Sequence, residues 1–421
     1  YELREAGQLE AVVDRAFNIS NAVPEGPVYL SLPREVLAEE LAEFSYGPAS
    51  AHANATPPHP DLNAIDTLAE IILKAENPVI VTTQSGNIPG TVDALANLAE
   101  RFAIPVTQYR PRTMNLPTDH VMHMGYDPAP LIEAADVIIA VECEVPWIPS
   151  LKKPNSECVV AQIAGDPLYS NAPHRGFRAD FAITGVADVS LLALAVAMEA
   201  LGTLSKDRIA NRRQRIKTLR TGLHAEWESQ LENCSTSLPI HPAWISHCLS
   251  EVLDDQAIVI RESSLDLRYL KRSQARTFFG GASGLGWGLG GAIGAKLAHP
   301  EALVVATEGD GAYMLGNPVS AHYIAQAHEL PFLTVIFNNE RWESVGRATR
   351  AMYPDGYAAQ SNQAPLTHLQ PSPHFEKIIA ACDGYGEKVE DPADVITALE
   401  NGLKAVLLDK RQAVLNIICG E

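Results

Sequence analysis

Two rhythms alternate along most of this chain. In "LNAIDTLAEIILKA", from residue 62, apolar residues recur every three or four positions, which predicts an amphipathic helix. "NPVIVTT" follows as a short, uninterrupted apolar run, the pattern of a strand buried on both faces. The same exchange continues with "GTVDALANLAERF" as helix, "IPVTQ" as strand, "APLIEAA" as helix, "DVIIAVE" and "CVVAQIA" as strands, and "SLLALAVAMEAL" as helix. It resumes near residue 236, with "PAWISHCLSEVL", "GWGLGGAIGAKLA", "PVSAHYIAQAHE", "FEKIIAAC" and "DVITALENGLKAVL" as helices. Between them "QAIVIRE", "EALVVAT", "PFLTVIFN" and "QAVLNIIC" read as strands. Such βα alternation predicts parallel sheets with helices on both faces. The fold class is therefore α/β, with two doubly wound parallel-sheet domains, the first of them Rossmann-like.

The remaining stretches punctuate this pattern. "QLEAVVDRAFNI" puts Leu9, Val12, Val13, Ala16 and Phe17 on one helical face, and "GPVYLSLP" reads as a short strand. One helix and one strand cannot enclose a core, so residues 1–46 read as the tail of a third α/β domain. Residues 47–61, within "YGPASAHANATPPHPD", have the small residues and prolines of a linker. Residues 62–202 form a central domain, 203–235 a charged helical linker, and 236–421 the second doubly wound domain.

Composition narrows the functional classes. The 421 residues are 46% apolar and carry a formal net charge of −19, which disfavours nucleic acid and anionic membranes as partners. The basic block "KDRIANRRQRIKTLR", residues 206–220, is read as a solvated face of the linker helix rather than a nucleic-acid patch. No apolar run is long enough to cross a bilayer. The charged opening, which starts at Tyr1, is not a signal peptide. Cys143, Cys158, Cys234, Cys248, Cys382 and Cys419 form no C-x-x-C pair and no zinc spacing, so a reducing, cytoplasmic compartment is expected.

Chemistry concentrates at two strand ends. "ALVVAT" runs into Glu308-Gly309-Asp310-Gly311, and "PFLTVIFNN" ends on Asn338 and Asn339. In an open parallel sheet, ligands bind beyond the carboxyl ends of the strands. The glycines permit close backbone approach, and a helix starting within residues 311–319 would favour an anion at its first turn. Asp310 and Asn339 offer hard oxygen ligands suited to Mg²⁺, which usually completes its shell with phosphate oxygens and water. The combination points to a diphosphate tied to the sheet by a divalent cation. The plainer alternative is a tight turn capped by Asp310 beside an Asn-rich turn.

Gly-Asp-Gly followed by Asn-Asn after 26 intervening residues resembles the diphosphate-binding motif of thiamine diphosphate enzymes. "GGASGLGWGLGGAIGAKLAHPEALVVATEGDG" is similar to the corresponding stretch of acetolactate synthases and benzoylformate decarboxylases, and "EGPVYLSLPREVLAE", residues 25–39, resembles the exit of their pyrimidine-binding domain. The resemblance implies thiamine diphosphate and Mg²⁺ as cofactors. Asp310, Asn339 and the Arg341 carbonyl would hold the metal. Gly309, Gly311, Ala312 and Tyr313 would wrap the diphosphate, and Ser263 and Ser264, in "RESS", would donate hydrogen bonds to phosphate. Gly284 would line the cofactor, and Leu285 would form the apolar support that bends it. The rival reading for the serines is a strand-end turn, and for Leu285 plain core.

The family's activating glutamate lies early in the pyrimidine-binding domain, and none of the glutamates in residues 1–46 is given that role. The resemblance therefore implies a homo-oligomer, or a hetero-oligomer with a chain that supplies the pyrimidine-binding domain. It implies a small-molecule substrate: a carbon–carbon lyase or carboligase acting on 2-oxo acids or 2-hydroxy carbonyl compounds. Decarboxylation, acyl-CoA lysis and carboligation are not separated by the motif. No FAD is expected, because "VECEVPWIPS", residues 141–150, stands where acetolactate synthases carry their flavin-linked stretch, and "TQSGNIPGT" lacks the dinucleotide fingerprint. Trp147 stands near the place of the decarboxylase's active-site histidine. Trp342, Val345 and Tyr353 are candidates for a substrate mouth, with Arg347 near a carboxylate. His322 and His328 read as helix residues without a catalytic role. The competing readings are a non-catalytic cofactor-binding paralogue or regulatory subunit, and a flavin- or nucleotide-binding oxidoreductase.

Overall fold

The computed structural model describes residues 1–44, 46–47, 55–173, 175–202, 206–262, 264–281, 284–361 and 367–420. Eleven strands are formed among them: β1 (Pro78–Thr82), β2 (Val106–Gln108), β3 (Val137–Val141), β4 (Val159–Ala164), β5 (Phe181–Thr184), β6 (Ile258–Arg261), β7 (Phe278–Gly280), β8 (Val304–Gly309), β9 (Leu333–Asn338), β10 (Tyr385–Val389) and β11 (Ala413–Ile418). They make two sheets, ordered β2-β1-β3-β4-β5 and β10-β11-β9-β8-β6-β7. By density of contacts the chain has two compact units, residues 1–81 with 129–208, and residues 82–128 with 209–421.

In the first unit, β3, β4 and β5 pair parallel. β3 is apolar and buried along its whole length. The Leu62–Lys74 helix begins where the Asp61 side chain accepts from the Asn63 amide, a standard N-cap. Its periodic residues Ile65, Leu68, Ala69, Ile72 and Leu73 are buried, and it packs beside the Ala187–Leu201 helix.

Residues 26–33 depart from expectation. No strand forms there. The segment makes one parallel bridge, Glu2 with Ser31, and Tyr29 stands 81% exposed. Its apolar alternation meets no neighbouring strand among the described residues, and a strand without a ladder does not persist.

The second unit holds the six-stranded sheet, parallel at every pairing. Successive residues of its strands feed opposite faces. One core takes Val259, Val305, Val335 and Leu415 against the Pro242–Val252 and Val395–Leu407 helices. The other takes Ile258, Ile260, Val304, Ala306 and Ile336 against the Gly288–Ala298 and Pro318–Ala327 helices. The helix expected from Gly311 onward is two helices, Asp310–Leu315 and Pro318–Ala327, separated at Gly316 and Asn317.

From β6 the chain runs to β7 on one side, and β8 and β9 follow on the other. β6 and β8 therefore flank the topological switch point, where parallel sheets open a crevice. Strands β5, β7 and β10 were not anticipated from pattern. The first two are only four and three residues long, and β10, "YGEKV", is a half-exposed edge strand bearing a glycine and two charges. The charged linker reads through as the helix Lys206–Cys234, and residues 48–54 and 203–205 lie outside the described set. All six cysteines are free. Among the described residues no helix is long and apolar enough to cross a membrane.

Candidate cofactor and metal site

β8 and β9 are adjacent and in register, Gly309 facing Phe337, so their carboxyl ends emerge side by side. Asp310 follows β8 directly and is 3% exposed. Its Oδ1 accepts from the Gly311 amide at 2.8 Å, and its Oδ2 accepts from the Arg341 amide at 3.2 Å. Asn339 lies just past β9, and its Oδ1 accepts from the same Arg341 amide at 3.1 Å. One N–H thus gathers both side-chain oxygens. Burial raises the Asp310 carboxyl to about 6, against the opposing pull of the Gly311, Arg341 and Glu340 amides. No described residue forms an ion pair with Asp310, and a divalent cation would supply the missing positive charge.

The two asparagines do different work. Asn338 is fully buried and structural: its Nδ2 donates to Ser372 Oγ and to Asn416 Oδ1, both at 2.9 Å, and its Oδ1 accepts from the Glu340 amide at 3.0 Å. Asn416 Nδ2 in turn donates to Glu376 Oε2 at 2.8 Å. The turn that follows is fastened by backbone bonds, Trp342 N to Thr367 O at 2.7 Å and Leu369 N to Glu340 O at 2.8 Å. Glu340 adopts a left-handed φ of 57° within it. These ties leave Asn339 half-buried, with its oxygen turned toward Asp310 rather than into the sheet.

Gly311 must be glycine for a visible reason. A Cβ there would lie 2.2 Å from the Trp342 ring, which covers the Gly-Asp-Gly turn. Ala312 is buried beside it. Tyr313 differs from expectation in its side chain: the hydroxyl is bound to His322 Nε2 at 2.8 Å, and His322 Nδ1 to Gln412 Oε1 at 2.8 Å. Tyr313 can therefore offer a ligand only its backbone, and His322 is a satisfied core residue.

The glycine-rich loop lies beside this turn. Gly284 and Gly286 have φ of +89° and +96°, and a Cβ on Gly286 would strike Gly316 N and the Leu315 carbonyl. Leu285 sits in the turn 55% exposed and is not among the buried core residues. Ser264 is exposed beyond β6 with a φ of +59°, and no described contact ties it to Asp310. Ser263 lies outside the described residues. Val345 and Tyr353 are exposed, on and just past the Glu343–Met352 helix, while Trp342 is half-buried.

Two carboxyl groups at this end of the sheet were not singled out from sequence. Glu308, in β8, is fully buried, and neither oxygen makes a hydrogen bond of normal geometry among the described residues. Burial, then the charge of Glu262, pushes it up to about 10. Glu262 follows β6 and accepts from the amides of Gly286 and Gly288. These bonds place Glu262 at the first turn of the Gly288–Ala298 helix. An acid within the apolar run "ALVVATE" was the available signal for Glu308.

The side-chain oxygens of Asp310 and Asn339, brought together at the Arg341 amide beside Gly309 and Gly311, are hard donors of the kind that suits a divalent cation bearing a diphosphate. Residues 264–417 match the model of the thiamine pyrophosphate enzyme C-terminal TPP binding domain, and residues 65–194 match that of the central domain. The acetolactate synthase large subunit of Lactococcus lactis subsp. lactis is 24% identical over 436 residues, spanning 99% of this chain and 72% of that protein. The 2-hydroxyacyl-CoA lyase of Oryza sativa subsp. japonica is 23% identical over 431 residues, spanning 93% of this chain and 69% of that protein. Benzoylformate decarboxylase from Polynucleobacter necessarius superposes with a TM-score of 0.74 at 19% identity, covering 100% of this chain and 75% of the other, which is a likeness of fold.

Proposed function

Because this chain belongs to the thiamine pyrophosphate-dependent enzyme family, we propose that it makes or breaks a carbon–carbon bond next to a carbonyl, using thiamine diphosphate and Mg²⁺. Its substrates are 2-oxo acids or 2-hydroxy carbonyl compounds. The observation that carries this reading is the convergence of Asp310 and Asn339 on the Arg341 amide at the tips of adjacent strands. In this reading Asp310, Asn339 and the Arg341 carbonyl bind Mg²⁺. The Gly309, Gly311, Ala312 and Tyr313 backbones receive the diphosphate, with Ser263 and Ser264 donating to it. When bound, thiamine diphosphate supplies a carbon nucleophile and an electron sink for the bond being cleaved.

The chain's own residues bind and orient. Gly284 and Leu285 form the ledge beneath the rings, and the exposed leucine contributes apolar surface there. Trp342 walls the turn and keeps water from the Gly311 side of the metal. The activating glutamate comes from a pyrimidine-binding domain, contributed by another chain or by a further N-terminal segment. The exposed Phe17 and Tyr29 in residues 1–46 support a covering partner of that kind.

The test is turnover. EDTA-treated protein, assayed with the pyrimidine-binding domain supplied, is expected to consume pyruvate, benzoylformate or a 2-hydroxyacyl-CoA only when thiamine diphosphate and Mg²⁺ are both restored. Consumption without the metal would remove Mg²⁺ from the account. Failure with every substrate of both classes would overturn the catalytic reading.

A further inference from the structure

Leu285 is a large apolar residue that stands 55% exposed in its loop. Its loop contains two glycines with left-handed backbone, Gly284 and Gly286, and such a segment has little intrinsic preference for one conformation. What fixes it is Glu262. The carboxylate of Glu262 spans the loop, Oε1 accepting from the Gly286 amide and Oε2 from the Gly288 amide, the latter at 2.6 Å. The first of these amides belongs to the peptide bond that Leu285 itself forms. Both bonds are charge-assisted, which makes them stronger than neutral ones.

The surroundings lock the same arrangement. A Cβ on Gly288 would lie 2.1 Å from Glu308 Oε1 and 3.0 Å from Glu262 Oε2, so the start of the Gly288–Ala298 helix packs against both carboxyl groups. A Cβ on Gly286 would lie 2.7 Å from the Gly316 nitrogen, so the loop also packs against the end of the Asp310–Leu315 helix. Glu262 therefore links the end of β6 to the loop that packs against Glu308 of β8 and the end of the Asp310–Leu315 helix.

We propose that Glu262 is a positioning residue whose carboxylate straps the Gly286 and Gly288 amides and so sets the height and angle of the Leu285 ledge under the ring-bearing part of the cofactor. This rests on the functional reading above. It separates two ends of one site: Asp310 and Asn339 govern the diphosphate end, and Glu262, acting through Leu285, governs the ring end.

Glu262→Gln keeps the shape and loses one acceptor. Two measurements test it. By hydrogen exchange of the cofactor-free protein, residues 284–290 are expected to exchange about tenfold faster in the variant, while β8 stays as protected as before. By calorimetry, the Kd for thiamine diphosphate with Mg²⁺ is expected to rise about tenfold, and that for inorganic pyrophosphate with Mg²⁺ to stay within about twofold. Leu285→Ala should reproduce the thiamine diphosphate effect, and the double variant should be no weaker than the worse single one. Glu262→Asp, which keeps the charge on a shorter arm, should recover part of the affinity.

Unchanged exchange, or equal losses for pyrophosphate and thiamine diphosphate, would overturn the proposal. The exchange arm needs no cofactor. It decides on the strap even if the unsubstituted protein binds no thiamine diphosphate, an outcome that would defeat the functional reading instead.

Discussion

At the scale of single residues, the site is shaped by what has no room to change. Gly311→Ala would drive a Cβ into the Trp342 ring. The ring or the turn must move, at a cost of about 1–3 kcal/mol. A lower denaturation midpoint with altered tryptophan fluorescence is expected, and an unchanged midpoint would show that Trp342 does not cover the turn. His123 makes a different prediction. It is 1% exposed, and both ring nitrogens lack hydrogen-bond partners among the described residues. Burial, then the charge of Arg220, holds it down at about 3. Its folded value lies below its ordinary one, so the unfolded chain takes up a proton that the folded chain refuses. Its contribution to stability is full above pH 6.5 and is lost as the pH falls toward 3, by about 1.4 kcal/mol per pH unit. His123→Leu should flatten that part of the stability profile in denaturant titrations between pH 7 and 4.

At the scale of elements, the site depends on strand ends held in register. The sheet beneath them is anchored by the Val395–Leu407 helix, whose Leu399 is fully buried in the core. Leu399→Ala should cost about 2–5 kcal/mol in unfolding free energy while leaving the Asp310 turn in place. Much of this architecture could be read from sequence. β8, β9 and β11 are apolar runs buried on both faces, and such runs declare themselves. The Asp310 and Asn339 pairing was also legible, because residues that end neighbouring parallel strands must emerge together. β7 and β10 were not, since an edge strand owes its existence to the neighbour it pairs with. The reverse held for residues 26–33, where a strand-like pattern has, among the described residues, only the Ser31 bridge to pair with. Glu262 was illegible for a related reason, since an acid at a strand end looks solvated until the packing shows it spent on amides, whereas Glu308 had one sign, its place within an apolar run. Leu285 could be placed by motif, but not the carboxylate that orients it.

At the scale of the whole molecule, the family domains account for residues 65–194 and 264–417, and the chain spans about seven-tenths of the relatives it resembles. Those relatives include a synthase and a lyase, and what the chain shares with the family is the central and C-terminal TPP binding domains. The account stands or falls on cofactor binding there being metal-dependent. The most direct measurement is calorimetric titration of thiamine diphosphate, with and without Mg²⁺, into the unsubstituted protein and Asp310→Ala. Binding that requires Mg²⁺ and disappears in Asp310→Ala is the expected result. Binding of equal strength in the variant, or binding indifferent to Mg²⁺, would contradict it.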